Sequence, residues 1–173
     1  EPDLPRLVSG VTVMGGSLRV GGNETLAAEF NFVTDAEAAS VVLQAGFRDV
    51  ALVPLDVCDG ARLSTADLVR LDGLGTEASR AARDLLRHFE RRAAPGRGVP
   101  FYDPTAWLLT TQPEVAEWET VYVAVDTGSS VARGASLADW RNRSRREPNV
   151  RAAVRLRQRE HFLERFFSLV GER

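Results

Sequence analysis

A short segment of polar side chains follows the first Gly-rich stretch of this chain. It reads Asn23-Glu-Thr-Leu-Ala-Ala-Glu29-Phe30-Asn31 and places two amides and a carboxylate around an aromatic ring. These groups suit a polyhydroxylated ligand, because each hydroxyl both donates and accepts hydrogen bonds. The alternative is structural, with Asn23 and Asn31 as turn residues and Glu29 as a solvated charge, and periodicity alone favours that alternative.

Phosphate and zinc sites have weaker support. The segment from Gly15-Gly16 to Gly21-Gly22 could cradle a phosphate, but it has neither the G-x-G-x-x-G fingerprint nor a P-loop Lys. The two histidines, His88 and His161, fall on predicted helices with no Cys or His nearby at zinc-ligand spacing. We therefore expect neither kind of site.

Two further features are open to a structural interpretation. Cys58, the single cysteine, follows a predicted strand without an obvious His partner, which favours a structural thiol over a nucleophile. A chain with one cysteine has no internal disulfide, so we expect a reducing, cytoplasmic compartment. The Arg-rich stretch Arg141–Arg146 is most simply a solvated face or loop, and an anion contact is the alternative.

Length and composition indicate one globular domain over residues 1–173. Apolar residues make up 44% and charged residues 27% of the chain, which excludes a disordered tail. The net charge of −2 gives no electrostatic case for nucleic acid as a partner. No apolar run approaches the roughly 20 residues of a membrane helix, so we expect no membrane partner either.

The elements that position the polar segment follow a strand, helix, strand order. Gly10–Met14 is predicted as a buried strand that runs into the Gly-rich loop. Thr34, with Glu37 three positions later, predicts a capped helix that continues to Ala45. Asp49–Pro54 is the next predicted strand. This order implies a parallel sheet, and open parallel sheets bind ligands at the carboxyl ends of their strands.

The rest of the chain continues the alternation of helices and strands. The fold class predicted is therefore α/β, an open and mostly parallel sheet flanked by helices. The Gly/Pro-rich segment Ala94–Pro100 is predicted as a mobile loop. The remaining predicted elements are a helix capped by Ser64 or Thr65 and running to Leu71, helices at Thr76–Arg92, from Asp103 and at Arg157–Val170, and strands at Thr120–Asp126 and Val150–Val154.

A set of motifs between about Val11 and Gly134 carries a resemblance to a known family. The chain reads Val-Met14-Gly-Gly, then Gly-Asn23, then Ala-Glu29-Phe30-Asn31, then Asp35-Ala-Glu-Ala-Ala, Val-Pro-Leu-Asp and Phe-Tyr102-Asp103-Pro. In order and rough spacing it resembles the inosine–uridine-preferring nucleoside hydrolases. The Glu-Phe-Asn block after Met-Gly-Gly is the most specific part of the match.

The resemblance implies a calcium-dependent mechanism. In that family a calcium ion binds the ribose 2′ and 3′ hydroxyls and the attacking water. An aspartate takes the proton of the water as the N-glycosidic bond breaks through an oxocarbenium-like state. The resemblance implies that Asn23, Glu29 and Asn31 bind the ribose hydroxyls. It also implies that Met14 lines the sugar site and that Phe30 lies near the sugar or the base. Asp103 is implied to be a calcium ligand.

Two departures from the family pattern stand out. Some members place a His just before the calcium-binding Asp, where it protonates the departing base, and this chain has Tyr102 there. Tyr102 could donate a proton, stack on the base or simply form a pocket wall. The family also begins with an Asp-rich motif, D-x-D-x-x-x-D-D, which supplies most calcium ligands and the general base. This sequence has no such motif and resembles only the C-terminal portion of a nucleoside hydrolase.

We therefore expect an incomplete calcium site and no activity from this chain alone. The first functional hypothesis is a nucleoside hydrolase that releases base and ribose once a missing N-terminal segment is supplied. The alternative is an inactive ribose-binding or oligomerisation module, and an enzyme of unrelated chemistry that binds a sugar or nucleotide is a third. The expected partners are a nucleoside or another ribose-containing molecule, and either an N-terminal half or further copies of the chain.

Overall fold

The strands form one main sheet and one small sheet. In the computed structural model, which describes residues 2–91 and 96–172, the strands are β1 (Val11–Met14), β2 (Val50–Val53), β3 (Ala116–Val121), β4 (Val123–Val125), β5 (Ser136–Ala138) and β6 (Val150–Leu156). The main sheet has the order β1-β2-β6-β3. Strands β1, β2 and β6 are parallel, and β3 is antiparallel to β6. The predicted α/β class with a mostly parallel sheet is confirmed.

Helices flank this sheet. They are α1 (Leu4–Leu7), α2 (Phe30–Thr34), α3 (Ala36–Gln44), α4 (Leu55–Cys58), α5 (Thr65–Leu74), α6 (Glu77–Glu90), α7 (Tyr102–Thr111) and α8 (Arg159–Gly171). Ser64 and Thr76 cap α5 and α6 with reciprocal capping boxes, as their positions before apolar-periodic segments predict. Among the described residues, none of the helices has the length and apolar character needed to cross a bilayer.

One predicted helix start is wrong by one residue. Asp35, not Thr34, is the N-cap of α3, and its carboxylate accepts a hydrogen bond from the Ala38 N–H at 2.8 Å. The Thr34 hydroxyl instead donates to the carbonyl of Phe30 at 2.6 Å, at the end of α2. The pattern alone did not predict α2, and a residue at the end of one helix has the wrong backbone conformation to cap the next.

The predicted strand Thr120–Asp126 divides between the two sheets. β3 ends at Val121 in the main sheet, and β4 begins at Val123 and pairs with β5, a strand that the sequence did not indicate. Asn149 stabilises the transition, because its side chain accepts from the Val123 N–H at 2.7 Å and donates to the Val123 carbonyl at 2.9 Å. The alternation of apolar and polar residues continues across this transition, so the sequence pattern does not show where one strand ends and the next begins.

The segment between α6 and α7 is described only in part. The predicted helix end at Arg92 and the first residues of the predicted loop Ala94–Pro100 fall outside the described residues. The described remainder forms a β-bridge in which Val99 and Leu63 exchange two backbone hydrogen bonds of 2.8 Å. Val99 is thus tied to the start of α5.

The main sheet is packed on both faces. In β2, Val50 and Leu52 contact one buried cluster, which includes Phe32 of α2, while Val53 contacts a second cluster with Ala106 of α7. All four residues of β2 are buried, whereas those of β1, at the sheet edge, are only half-buried. A third cluster lies among α5, α6 and α8. Because β1 and β2 are parallel and Met14 pairs with Val53, the residues that follow the two strands lie together at one edge of the sheet.

Candidate functional site

The loop after β1 is held against the end of β2. The N–H of Gly15 donates to the carbonyl of Val53 at 3.2 Å, and the N–H of Leu55 donates to the carbonyl of Gly16 at 3.0 Å. Gly16 has a φ of 75°, in the left-handed region that glycine adopts without steric cost. A Cβ on Gly15 would lie 2.7 Å from the ring of Phe32. The Gly-Gly pair thus allows the loop to pass close to α2.

Glu29 is the central polar group of this region and is only 2% exposed. Its Oε2 accepts hydrogen bonds from the N–H groups of Gly16 at 3.0 Å and Phe32 at 3.2 Å. Its Oε1 accepts from the N–H of Asn31 at 2.9 Å. Glu29 is therefore the N-cap of α2 and ties that helix to the loop after β1. The alternative interpretation of Glu29 as a solvated charge is wrong.

The two asparagines converge on the same region. Asn23 Oδ1 accepts from the N–H of Phe30 at 3.0 Å, and Asn31 Nδ2 donates to the carbonyl of Met14 at 3.3 Å. The same Nδ2 lies 3.4 Å from the Met14 sulfur. The structure therefore brings the five predicted residues of the polar segment and of β1 together. Phe30 is 54% exposed, so this cluster is accessible from solvent.

Asp103 lies in the first turn of α7. The hydroxyl of Thr110, near the end of α7, hydrogen-bonds the hydroxyl of Thr12 in β1 at 3.0 Å. Helix α7 packs on β1 and β2, and Tyr102 at its other end packs against the same buried cluster as Met14, the last residue of β1. Helix α7 therefore runs antiparallel to β1, so its first turn, which contains Asp103, lies towards the carboxyl end of the strand. The negative charge of Asp103 is favourable at a helix N-terminus.

The thiol of Cys58 is buried in the cluster against which Met14 and Tyr102 pack. Burial raises its pKa strongly, and the negative charges of Asp59, Asp103 and Glu29 raise it further. Cys58 has no exposed surface, as expected for a structural thiol rather than a nucleophile.

Tyr102 lies between the polar cluster and an apolar cavity. Its ring and Met14 pack against the same buried cluster, which includes Cys58 and Ala106. On its other side, Tyr102 and Asp103 line a cavity of about 270 Å³. The apolar residues that line this cavity are Ala82, Leu85, Leu86, Phe89, Pro100, Phe101, Pro104 and Phe166. Tyr102 thus borders an apolar pocket and shares a buried cluster with Met14 of the polar region.

The described residues offer few ligands for a calcium ion. Calcium takes six to eight oxygen ligands, usually including several carboxylates. Within residues 2–91 and 96–172, no group of three or more His, Cys, Asp or Glu side chains could hold a metal ion. Of the predicted site residues, Glu29 is already engaged by three backbone N–H groups, and Asp103 alone cannot replace a cage.

Three residues that position this site were not predicted. Ser136 of β5 accepts from the N–H of Ser17 at 2.8 Å and donates to the Ser17 carbonyl at 2.9 Å, and both residues are buried. Asp56 accepts from the N–H of Leu18 at 2.8 Å. Asp56 follows β2, so the carboxyl-end rule could have identified it. Ser136 is 119 residues from its partner, and no local signal indicates the contact.

Comparison with known proteins shows to which family this chain is related. Residues 1–164 match the family model described as inosine-uridine preferring nucleoside hydrolase. The chain is 32% identical over 160 residues to the pyrimidine-specific ribonucleoside hydrolase RihA of Enterobacter sp. (strain 638) and to that of Salmonella enteritidis PT4. Each match covers 89% of this chain and 50% of the relative. The chain thus spans about half the length of the curated relatives it matches.

Solved structures share the fold. A plant nucleoside hydrolase, PpNRh1, superposes with a TM-score of 0.89 and 21% identity over 100% of this chain and 57% of its own. A purine-preferring ribonucleoside hydrolase from Gardnerella vaginalis superposes with a TM-score of 0.85 and 22% identity over 98% of this chain and 54% of its own. At this identity the likeness concerns the fold alone. With a family model matched over residues 1–164, the chain belongs to the inosine-uridine preferring nucleoside hydrolase family.

Proposed function

We propose that this chain supplies the ribose-binding part of a ribonucleoside hydrolase, which cleaves the N-glycosidic bond to give base and ribose. The observation that supports the proposal is the cluster of Asn23, Glu29 and Asn31 beyond β1, with Asp103 in the first turn of α7, the helix that packs on β1 and β2. The names of the curated relatives, which are ribonucleoside hydrolases, support the same reaction. Salvage of bases in the cytoplasm is the setting that we expect for it.

The polar cluster keeps suitable atoms free for a ribose. Asn23 uses its Oδ1 on the N–H of Phe30, which leaves its Nδ2 to donate. Asn31 uses its Nδ2 on Met14, which leaves its Oδ1 to accept. One donor and one acceptor complement a pair of neighbouring hydroxyls. Glu29 retains capacity for about one further hydrogen bond, and its main task in this proposal is to fix the positions of the Asn31 backbone and the loop.

The apolar cavity beside Tyr102 is our candidate for the base. Its lining is largely aliphatic and aromatic, which suits a flat, weakly polar ring. Tyr102 lines this cavity and packs against the same buried cluster as Met14, so in this proposal the bond to be broken lies beside Tyr102. Its ring can stack on the base, and its hydroxyl can donate a hydrogen bond to the departing base.

Calcium enters the proposal only through residues outside this chain. We propose that Asp103 is one ligand of a site whose other carboxylates come from a further polypeptide segment. Strand β1 is the position for such a segment to join, because it lies at the edge of the main sheet and its four residues are only half-buried. An N-terminal half of the hydrolase fold is the partner that we expect, and a second copy of the chain is the alternative.

Ribose release from inosine and uridine, measured with and without calcium, tests the function. We expect no release above background from this chain alone. We expect calcium-dependent release when a polypeptide carrying the Asp-rich motif is added or fused. Release by the chain alone would contradict the need for further carboxylates. Absence of release under every condition, with a folded complex verified by light scattering, would contradict the hydrolase.

A second candidate is an inactive ribose-binding or oligomerisation module. The specific observation in its favour is that the described residues contain no cluster of three metal-ligating side chains. This candidate predicts saturable ribose binding, or a dimer through β1, without any hydrolysis. A strictly monomeric chain with no affinity for ribose would exclude it.

A further inference from the structure

We propose that a cavity at the opposite end of the main sheet binds a small organic phosphate monoester. This cavity, of about 560 Å³, lies where β2 and β6 begin and where β3 ends. It is lined by the segment before β2, the end of β3 and the segment before β6. The polar cluster of Glu29 lies at the carboxyl ends of the parallel strands, so the two sites are separate. We refer to the new one as the arginine cavity.

Arg146 is an oriented cation in the arginine cavity. One guanidinium nitrogen donates to the hydroxyl of Tyr122 at 2.6 Å, and the guanidinium carbon lies 5.2 Å from the centroid of the Tyr122 ring. Within the described part of the chain, no carboxylate forms an ion pair with Arg146. The remaining N–H groups of this guanidinium are therefore available to a ligand.

Arg48 is the second arginine of the arginine cavity that has no carboxylate partner among the described residues. The third arginine of the cavity, Arg151, differs, because both oxygens of Asp49 accept from it at 3.2 and 2.7 Å. Glu147 also lines the cavity and opposes an anion. The lining therefore carries three positive and two negative groups, a net charge of +1 in a chain with a net charge of −2.

The loop that carries Arg146 is held in a defined conformation. The carboxylate of Asp139 accepts from the N–H groups of Arg143 at 2.8 Å and Ser144 at 2.6 Å. Asn142 and Arg145 have positive φ values of 49° and 55°, which are uncommon for residues other than glycine. These contacts orient Arg146 before any ligand arrives, so less conformational entropy is lost on binding.

The lining specifies the class of ligand. Two guanidinium groups that have no carboxylate partner among the described residues match a dianion, and their planar N–H pairs fit phosphate oxygens. Leu43, Phe47 and Pro148 line the same cavity and can contact an apolar body. The volume lies in the range of small-molecule sites. A phosphate monoester with a compact organic group satisfies both requirements, whereas inorganic phosphate alone satisfies only the first.

Calorimetric titration with phenyl phosphate tests the proposal, since this probe combines a dianion with a flat ring and contains no ribose. Phenol and inorganic phosphate serve as the two part-ligands. We expect saturable binding of phenyl phosphate that exceeds the binding of either part-ligand. We expect R48Q and R146Q each to weaken it about tenfold, as for the loss of one charge-assisted hydrogen bond. E147Q should strengthen it severalfold.

R165Q is the matched control, because Arg165 is an exposed arginine on α8, away from this cavity. It removes the same charge and should change the affinity less than about twofold. Thermal unfolding checks that each variant is folded. Equal weakening by R165Q and R146Q, weaker binding in E147Q, or no saturable binding at millimolar phenyl phosphate would overturn the proposal. None of these outcomes depends on nucleoside hydrolysis.

Discussion

Near each end of the main sheet, a carboxylate accepts hydrogen bonds from the backbone N–H groups of a loop, but the two carboxylates are buried to different extents. At the carboxyl end, Glu29 accepts three backbone N–H groups and is 2% exposed. Towards the amino end, Asp139 accepts two backbone N–H groups but is only half-buried. Each carboxylate orders the loop that presents a candidate binding residue, Asn31 in the first case and Arg146 in the second.

Depth determines what each carboxylate contributes. A buried N–H group that loses its acceptor cannot form a replacement hydrogen bond with water, whereas a half-exposed N–H group can. Glu29 should therefore matter for the stability of the whole fold as well as for its site. Asp139 should matter mainly for the order of its own loop. Four predictions test this contrast.

The largest effect is expected for E29A. The substitution leaves the N–H groups of Gly16, Asn31 and Phe32 without an acceptor in a buried region and removes the cap of α2. We expect the free energy of unfolding to fall by about 3 kcal/mol. Urea denaturation measures it, and D139A is the matched control, with a clearly smaller loss. A loss in D139A as large as in E29A would contradict the role given to burial.

The second prediction concerns the buried hydroxyl of Ser136. S136A leaves the N–H and the carbonyl of Ser17 unpaired, so we expect about 2 kcal/mol of destabilisation. S130A is the control, because Ser130 is exposed, and its effect should stay within about 0.5 kcal/mol. Chemical denaturation of both variants provides the comparison. Similar values for the two would show that the link between β5 and the loop is weak.

The third prediction concerns Tyr102 and uses this chain together with the added or fused polypeptide that carries the Asp-rich motif. If the ring contacts the base, Y102A should lower kcat/KM about tenfold, in line with the loss of an aromatic contact. Y102F keeps the ring and should stay within about threefold of the unchanged chain. Kinetics with inosine and uridine distinguish the roles. An equal loss in Y102F and Y102A would instead assign the effect to the hydroxyl as a proton donor.

The smallest effect is a pH dependence confined to the Asp139 loop. Hydrogen bonds from Ser144 and from the N–H of Arg143 lower the pKa of Asp139 to about 2, from an ordinary value near 4. Because the pKa of Asp139 is lower in the folded protein than in the unfolded chain, ionised Asp139 stabilises the folded loop fully above about pH 4. This stabilisation is lost as the pH falls towards 2. The amide NMR signals of Arg143 and Ser144 should shift in that interval and stay constant between pH 5 and 8. A transition near pH 4 would contradict the lowered pKa.

Local patterns predicted much of the fold. The apolar runs of β1 and β2 and the caps at Ser64 and Thr76 depend on neighbours within a few residues, so the sequence contains them directly. The helix start at Thr34 was misplaced, because two adjacent residues can both cap. The transition from β3 to β4 was missed, because alternation says which side a residue faces but not which sheet it joins.

The candidate site divides in the same way. The residue types of the polar segment, together with the resemblance, predicted a site made of Asn23, Glu29, Asn31, Met14, Phe30, Tyr102 and Asp103. By itself the sequence determined these donor and acceptor types and their place after a strand. Only the tertiary structure decided that Glu29 is buried and accepts hydrogen bonds from three backbone N–H groups. It also decided that Asp103 lies in the first turn of a helix antiparallel to β1, and that Ser136 hydrogen-bonds the backbone of Ser17. Those features arise from contacts between distant segments, and the free energy of such contacts depends on packing that no local pattern records.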